Sequence, residues 1–291
     1  MKTRHLISAA ALALCSCAAS AFTPTDAAGW ELIWADDFDK DGAPDSTYWN
    51  FENGFVRNNE LQWYQPQNAV CRDGVLVIEA RQEKAPNPLY SETARRNDWR
   101  RSRPEIECTS ASINTRGKFD FLYGRMEVSA KIPTPSGSWP AIWLLGNEHP
   151  WPSNGEIDIM EYYRIGNVPH ILANAAWGGD RPYNAVWDSA KIPFSHFTEK
   201  DPAWADKFHL WTMDWTPESI NIYLDGELLN NIDLTKTVNG PAAAEGFNPF
   251  RQSQYILLNL AIAGDNGGDP DWSQFPLRYE VDYVKVYKPK K

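Results

Sequence analysis

Three carboxylates stand within six residues of an otherwise apolar run: Glu156, Asp158 and Glu161, in NGEIDIMEYY at 154–163. Acids in such a run are costly to desolvate unless they are paired or put to use. Their spacing restricts how they can meet. On a helix, at about 100° per residue, the three point in well-separated directions. On a regular strand Glu156 and Asp158 share a face and Glu161 falls on the other. One extra residue, a β-bulge near Ile159 and Met160, resets the alternation and brings all three to one face. Ile157, Tyr162 and either Met160 or Ile159 then face a core. Ile157, Ile159, Tyr162 and Tyr163 favour a strand, and Pro152, Ser153, Asn154 and Gly155 supply a turn before it. Two same-face steps put the Glu156 and Glu161 backbones about 13–14 Å apart. Side chains leaning together can then reach the roughly 5–5.5 Å of a retaining glycosidase or the roughly 6.5–9.5 Å of an inverting one.

A hard cation also wants clustered carboxylates, but calcium loops are Gly-, Asp- and Asn-rich turns, and this run is strand-like. The surrounding blocks favour catalysis. WELIWADDF (30–38), NNELQWY (58–64), GKFDFLYGRMEVSAKIP (117–133), SWPAIWLL (138–145) and YEVDYVKVY (279–287) occur in that order around GEIDIME. Together they resemble glycoside hydrolase family 16, whose signature E-[ILV]-D-x-(x)-E lies on a bulged strand. The resemblance implies an all-β jelly-roll sandwich of the concanavalin A-like lectin/glucanase type, with a concave substrate cleft. It implies a retaining mechanism, with Glu156 as nucleophile, Glu161 as general acid/base and Asp158 tuning the nucleophile between them. It also places Asn59 and Glu60 among the polar cleft residues. Trp139 and Trp143, four apart, share a strand face opposite Ile142 and Leu144, and the resemblance puts that face in the cleft. A structural calcium on the far side would take Asp282, with main-chain oxygens near Asp37 and Gly74; the chemistry itself needs no cofactor.

The resemblance thins after the motif, at PHILANAAWGG (169–179). Family β-1,3-glucanases often carry a His on this strand, in a T-x-H-like setting. Here the nearby residues are Asn174, Ala176 and Trp177; Trp177 either supplies a stacking contact instead, the reading that makes it a substrate-binding residue, or belongs to the core. The departure leaves the substrate open. The first expectation is a laminarinase- or lichenase-like endo-β-glucanase cutting β-1,3 or mixed β-1,3/1,4 linkages. The second is an endo-β-galactosidase of the same family, acting on an algal galactan or a poly-N-acetyllactosamine glycan. A non-catalytic glycan-binding protein has no need of three crowded carboxylates. A transglycosylase shares the covalent intermediate, which water or a sugar can attack.

Length and composition fit this reading. The 291 residues show no internal repeat or linker, so a leader at 1–21 and one catalytic domain at 22–291 are expected. Lys2, Arg4 and His5 precede an apolar stretch at 6–14, the pattern of a signal peptide too short to span a membrane. Ala19-Ser20-Ala21 offers one cleavage site. Leu14-Cys15-Ser16-Cys17 resembles a lipobox and would make Cys17 a lipid anchor. Secretion or a bacterial envelope location (periplasm or outer-membrane surface) is expected, as a monomer. The net charge is −10, and removing the basic residues Lys2 and Arg4 takes it to −12. Such a chain repels nucleic acid, and a highly sulfated polymer would need local basic patches. Cys71 and Cys108 could form a disulfide or stay free thiols. Strands are expected at 75–80, 124–132, 220–224, 255–262 and 281–287, with a hairpin turn at Asp225-Gly226. Loops are expected at 24–28, 87–104 and 194–206, the last with a helical turn. The 14 Trp, 12 Tyr and 12 Phe suit a polysaccharide partner, because flat rings cover the apolar faces of pyranoses.

Overall fold

The computed structural model describes residues 29–241 and 244–290. The signal-peptide and Cys17 expectations lie outside the described residues. Short alternating segments punctuated by Gly, Pro and Asx turns fold into two antiparallel sheets, the jelly-roll sandwich expected.

The cleft sheet runs, in spatial order, Ala185–Pro193, Val168–Gly178, Glu156–Ile165, Ser138–Gly146, Gln254–Ile262, Ser112–Asn114 and Asn50–Phe51. The outer sheet runs Glu227–Asp233, Ser219–Leu224, His209–Trp215, Gly124–Lys131, Leu277–Pro289, Val75–Ala80 and Ala69–Arg72, with Trp30–Asp36 also pairing Leu277–Pro289. Each predicted strand is present, four of them to within one residue, and the last extends to Leu277–Pro289. Asp225 and Gly226 both take positive φ, 50° and 82°, as a two-residue hairpin turn of the right twist requires. The 194–206 region carries a helical turn at Ser195–Thr198 and a second at Trp204–Asp206.

The core lies between the sheets. Ile142 and Leu144, Ile171 and Ala173, and Ile256, Leu258 and Leu260 from the cleft sheet join Met126, Val128, Trp211, Met213, Val284 and Val286 from the outer one. The catalytic-motif strand contributes Ile157, Ile159, Met160 and Tyr162. Both bulge candidates therefore point inward, where the expectation left a choice between them. Tyr162 satisfies its hydroxyl by donating to the Thr134 carbonyl at 2.7 Å. Ile159 is fully buried, so Ile159→Ala should cost about 2–5 kcal/mol through lost burial and the cavity left behind. Urea unfolding would measure this, and a loss below about 1 kcal/mol would contradict close packing at the bulge.

Cys71 and Cys108 are buried free thiols. Burial pushes Cys71 up to about 12 and Cys108 higher still, so neither is an available nucleophile.

Candidate active site

The strand Glu156–Ile165 begins at a forced turn. Gly155 has φ +76°, and a Cβ there would meet Pro249 Cβ at 2.7 Å. Only glycine makes that turn without displacing its neighbour, and the strand starts at the next residue, Glu156. Across to Val168–Gly178, Asp158 pairs with Asn174 but Glu161 pairs with Leu172. Across to Ser138–Gly146, Trp143 pairs with Asp158 while Ile142 pairs with Met160. Two residues of the strand thus oppose one on its neighbour, a bulge at Ile159–Met160. Glu156, Asp158 and Glu161 consequently line one cleft of about 910 Å³.

Each carboxylate accepts from a neighbouring side chain. The Trp151 indole N–H donates to Glu156 Oε2 at 2.8 Å. Trp139 donates to Glu161 Oε1 at 2.9 Å. Asn174 Nδ2 donates to Glu161 Oε2 at 3.0 Å and to Asp158 Oδ2 at 3.3 Å. Asp158 is 2 % exposed. Burial pushes Glu156 and Glu161 each up to about 7, and burial beside both glutamates holds Asp158 well above the usual range. Asp158 is thus the group that keeps its proton, and it donates to Glu156.

The surroundings of the two glutamates differ. The repulsion between the two glutamates is mutual, but the Arg57 guanidinium and the donating Asp158 favour ionised Glu156, whereas no cation favours ionised Glu161. One proton between them therefore resides preferentially on Glu161. The two titrations belong to the pair rather than to single residues.

Trp139 and Trp143 both stand on the cleft side, and Ile142 and Leu144 on the core side. The Trp143 face is covered, because the Arg57 guanidinium carbon lies 5.0 Å from its ring centroid. Trp143 instead donates to Asn259 Oδ1 at 2.7 Å, and Asn259 donates to the Tyr64 hydroxyl at 3.1 Å. Glu60 lines the cleft and is 2 % exposed. It accepts from Gln62 at 2.6 Å, and burial pushes it up to about 7. Asn59 stands one step back, donating to Asp265 Oδ1 at 2.9 Å, and Asp265 forms part of the cleft wall.

Trp177 is a correction. It lies in the inter-sheet core, packed edge-on against Phe250 at 6.4 Å. Register explains this: Ala176 pairs with Glu156 and so faces the cleft, which turns the next residue inward.

Asp282 sits at an outer-sheet bulge, where pairing jumps from Ser129–Tyr283 to Ala130–Val281. Among the described residues no three His, Cys, Asp or Glu side chains gather as a metal cage. A calcium at Asp282 would depend on main-chain oxygens.

Several cleft residues were not anticipated as site residues: Arg57, Trp151, Asn174, Tyr183, Trp187, Lys191 and Asn259. Of these, Asn174 was readable from its place on the departing strand. The others needed the tertiary structure.

A cleft across one sheet of a jelly roll, holding paired carboxylates with raised proton affinities, defines a glycoside hydrolase acting on O-glycosyl bonds. Residues 57–285 match glycosyl hydrolases family 16, and the chain belongs to that family. A β-glucanase of Rhodothermus marinus is 34% identical over 89% of this chain and 85% of its own length. A solved laminarinase catalytic domain from Thermotoga maritima is 32% identical, with TM-score 0.71, covering 90% of this chain and 100% of that one. A solved structure described with endo-acting O-glycanases of human gut microbiota that initiate mucin breakdown is also 32% identical. It has TM-score 0.78 and covers 91% and 93% of the two chains.

Proposed function

We propose that the protein is a secreted, retaining endo-hydrolase of β-1,3- or mixed β-1,3/1,4-glucan. The observation that carries the mechanism is the asymmetry around the paired glutamates: Arg57 and a donating Asp158 favour the charge on Glu156, and neither does so for Glu161. Glu156, ionised, attacks the anomeric carbon while Glu161 gives its proton to the departing oxygen. Glu161 then takes a proton from water, which releases the sugar with its configuration retained. Asp158 donates to Glu156 and restrains its charge until the covalent bond forms. The relatives described as glucanases support the glucan reading. Calcium at Asp282 is proposed as structural, outside the chemistry. Among the described residues no helix is long and apolar enough to cross a membrane.

A second reading, an endo-β-galactosidase cutting poly-N-acetyllactosamine or an algal galactan, rests on two observations. The O-glycanase structure is more alike in shape than the laminarinase at equal identity. The residue beside the carboxylates on Val168–Gly178 is Asn174. Digestion of laminarin, lichenan, agarose, carrageenan and poly-N-acetyllactosamine separates the readings. Cleavage of the β-glucans alone supports the first, and cleavage of galactose-containing polymers alone replaces it with the second.

Asn174 offers a finer check. Its amide favours the charged form of Glu161, so Asn174→Ala should raise the Glu161 pKa. The basic limb of the kcat/KM profile should move to higher pH, with kcat down about ten- to hundredfold. An unmoved limb would show that Asn174 does not act through Glu161.

A further inference from the structure

The edge strand Ala185–Pro193 presents Trp187, Ser189 and Lys191 to the same cleft. They pair in turn with Ala176, Asn174 and Leu172, which pair with Glu156, Asp158 and Glu161. The three side chains thus form a ledge parallel to the carboxylates and two strands away, about 10 Å by strand spacing. Trp187 is 45% exposed, and Tyr183, from the preceding loop, extends over the cleft at 76% exposed.

Lys191 is the unusual member. The chain carries a net charge of −10, and the cleft wall holds Glu60, Asp265 and the three catalytic-strand acids, while its two arginines are already engaged, Arg57 with Glu52 and Arg100 with the Phe55 and Val56 carbonyls. Yet the Lys191 side chain has no ion-pair or hydrogen-bond partner among the described residues, nor have those of Trp187 and Ser189. An indole face suits the apolar side of a pyranose. An unpaired ammonium beside it suits an anionic oxygen, whose charge-assisted hydrogen bond is stronger than one from a sugar hydroxyl.

We propose that this ledge is a subsite for a sugar bearing an anionic substituent, a sulfate ester or a carboxylate, on the edge-strand side of the scissile bond. The inference rests on the hydrolase reading of the cleft, and holds for either backbone considered above. Trp187 sets the ring and Lys191 meets the charge. The ledge supplies the local basic contact that an acidic protein needs to accept a charged polymer. A lysine that merely guards a sheet edge against pairing would have no such preference.

The test compares laminarin and poly-N-acetyllactosamine, each in neutral, O-sulfated and carboxyl-bearing forms. Lys191→Gln, Lys191→Arg and Trp187→Ala are assayed on whichever backbone the unaltered enzyme cleaves. In parallel, each is placed in a Glu156→Gln background and its affinity for all six polymers is read by affinity electrophoresis, which needs no turnover. Lys191→Gln should lower the charged-to-neutral ratio of kcat/KM, and of affinity, about five- to tenfold, and Lys191→Arg should largely restore it. Added salt should erode the unaltered enzyme's ratio, because the pair is solvent-exposed. Trp187→Ala should raise KM on charged and neutral forms alike. A drop confined to the sulfated or to the carboxyl-bearing arm identifies the anion. An unchanged ratio in Lys191→Gln, in turnover and affinity both, overturns the proposal. Absence of cleavage with the affinity ratios intact counts against the hydrolase reading and leaves the ledge supported.

Discussion

Glu156→Gln is expected to lower kcat by a factor on the order of 10⁴ or more on every substrate while sugar binding stays within a fewfold, since the group removed is one the bond-making step cannot replace. The carboxamide keeps the size of the side chain and can still meet the Trp151 indole, so the cleft should keep its shape. The substitution also has an electrostatic signature. Burial pushes Glu161 up to about 7, and the charge on Glu156 adds to that rise. With that charge gone, the Glu161 pKa should fall, because ionising it no longer opposes a neighbouring anion. Carbon-detected titration of the labelled glutamates would read the shift directly. Residual turnover above about a tenth of the starting value would remove Glu156 as nucleophile. So would products released with inverted anomeric configuration, followed by proton NMR during digestion.

Loss of Glu161 should divide substrates by leaving group. Glu161→Ala is expected to reduce kcat/KM on polysaccharide by about 10²–10⁴, the usual worth of a positioned general acid. Aryl glycosides with acidic phenols need little protonation and should keep most of their glycosylation rate. They should then stall at the covalent intermediate, visible as a burst. Azide, entering the space vacated by the carboxylate, should restore turnover and yield a β-glycosyl azide. An equal loss on all substrates without rescue would assign the acid elsewhere, Glu60 being the nearest candidate because it is also buried and pushed up to about 7. In the intact enzyme, Glu156 must be ionised and Glu161 protonated. The kcat/KM profile should therefore be a bell centred near 7, falling on the acid side as Glu156 gains its proton and on the basic side as Glu161 loses it.

Much of this architecture is local and therefore legible. The spacing of Glu156, Asp158 and Glu161 admits one common face only if the strand bulges, and the bulge lies at Ile159–Met160. The alternation in SWPAIWLL separates Trp139 and Trp143 from Ile142 and Leu144 in the same way. Asp225-Gly226 names its own turn. In each case the polar or bulky residues mark one face and the aliphatic ones the other, so the phase of the strand is written in the residue types.

The chain order alone was enough to establish the family blocks, the clustered acids and the sandwich, because these depend on residues close in sequence. Where neighbours are distant, the fold had to decide. Val168–Gly178 has only His170 and Asn174 to mark its phase, a thin signal in an otherwise apolar run, and Trp177, on the opposite face, went to the core while Asn174 reached Glu161. Arg57 covering Trp143 joins residues 86 positions apart, and the ledge of Trp187, Ser189 and Lys191 exists only through cross-strand register. Register is set by packing between whole sheets, a collective property that no short stretch of chain contains.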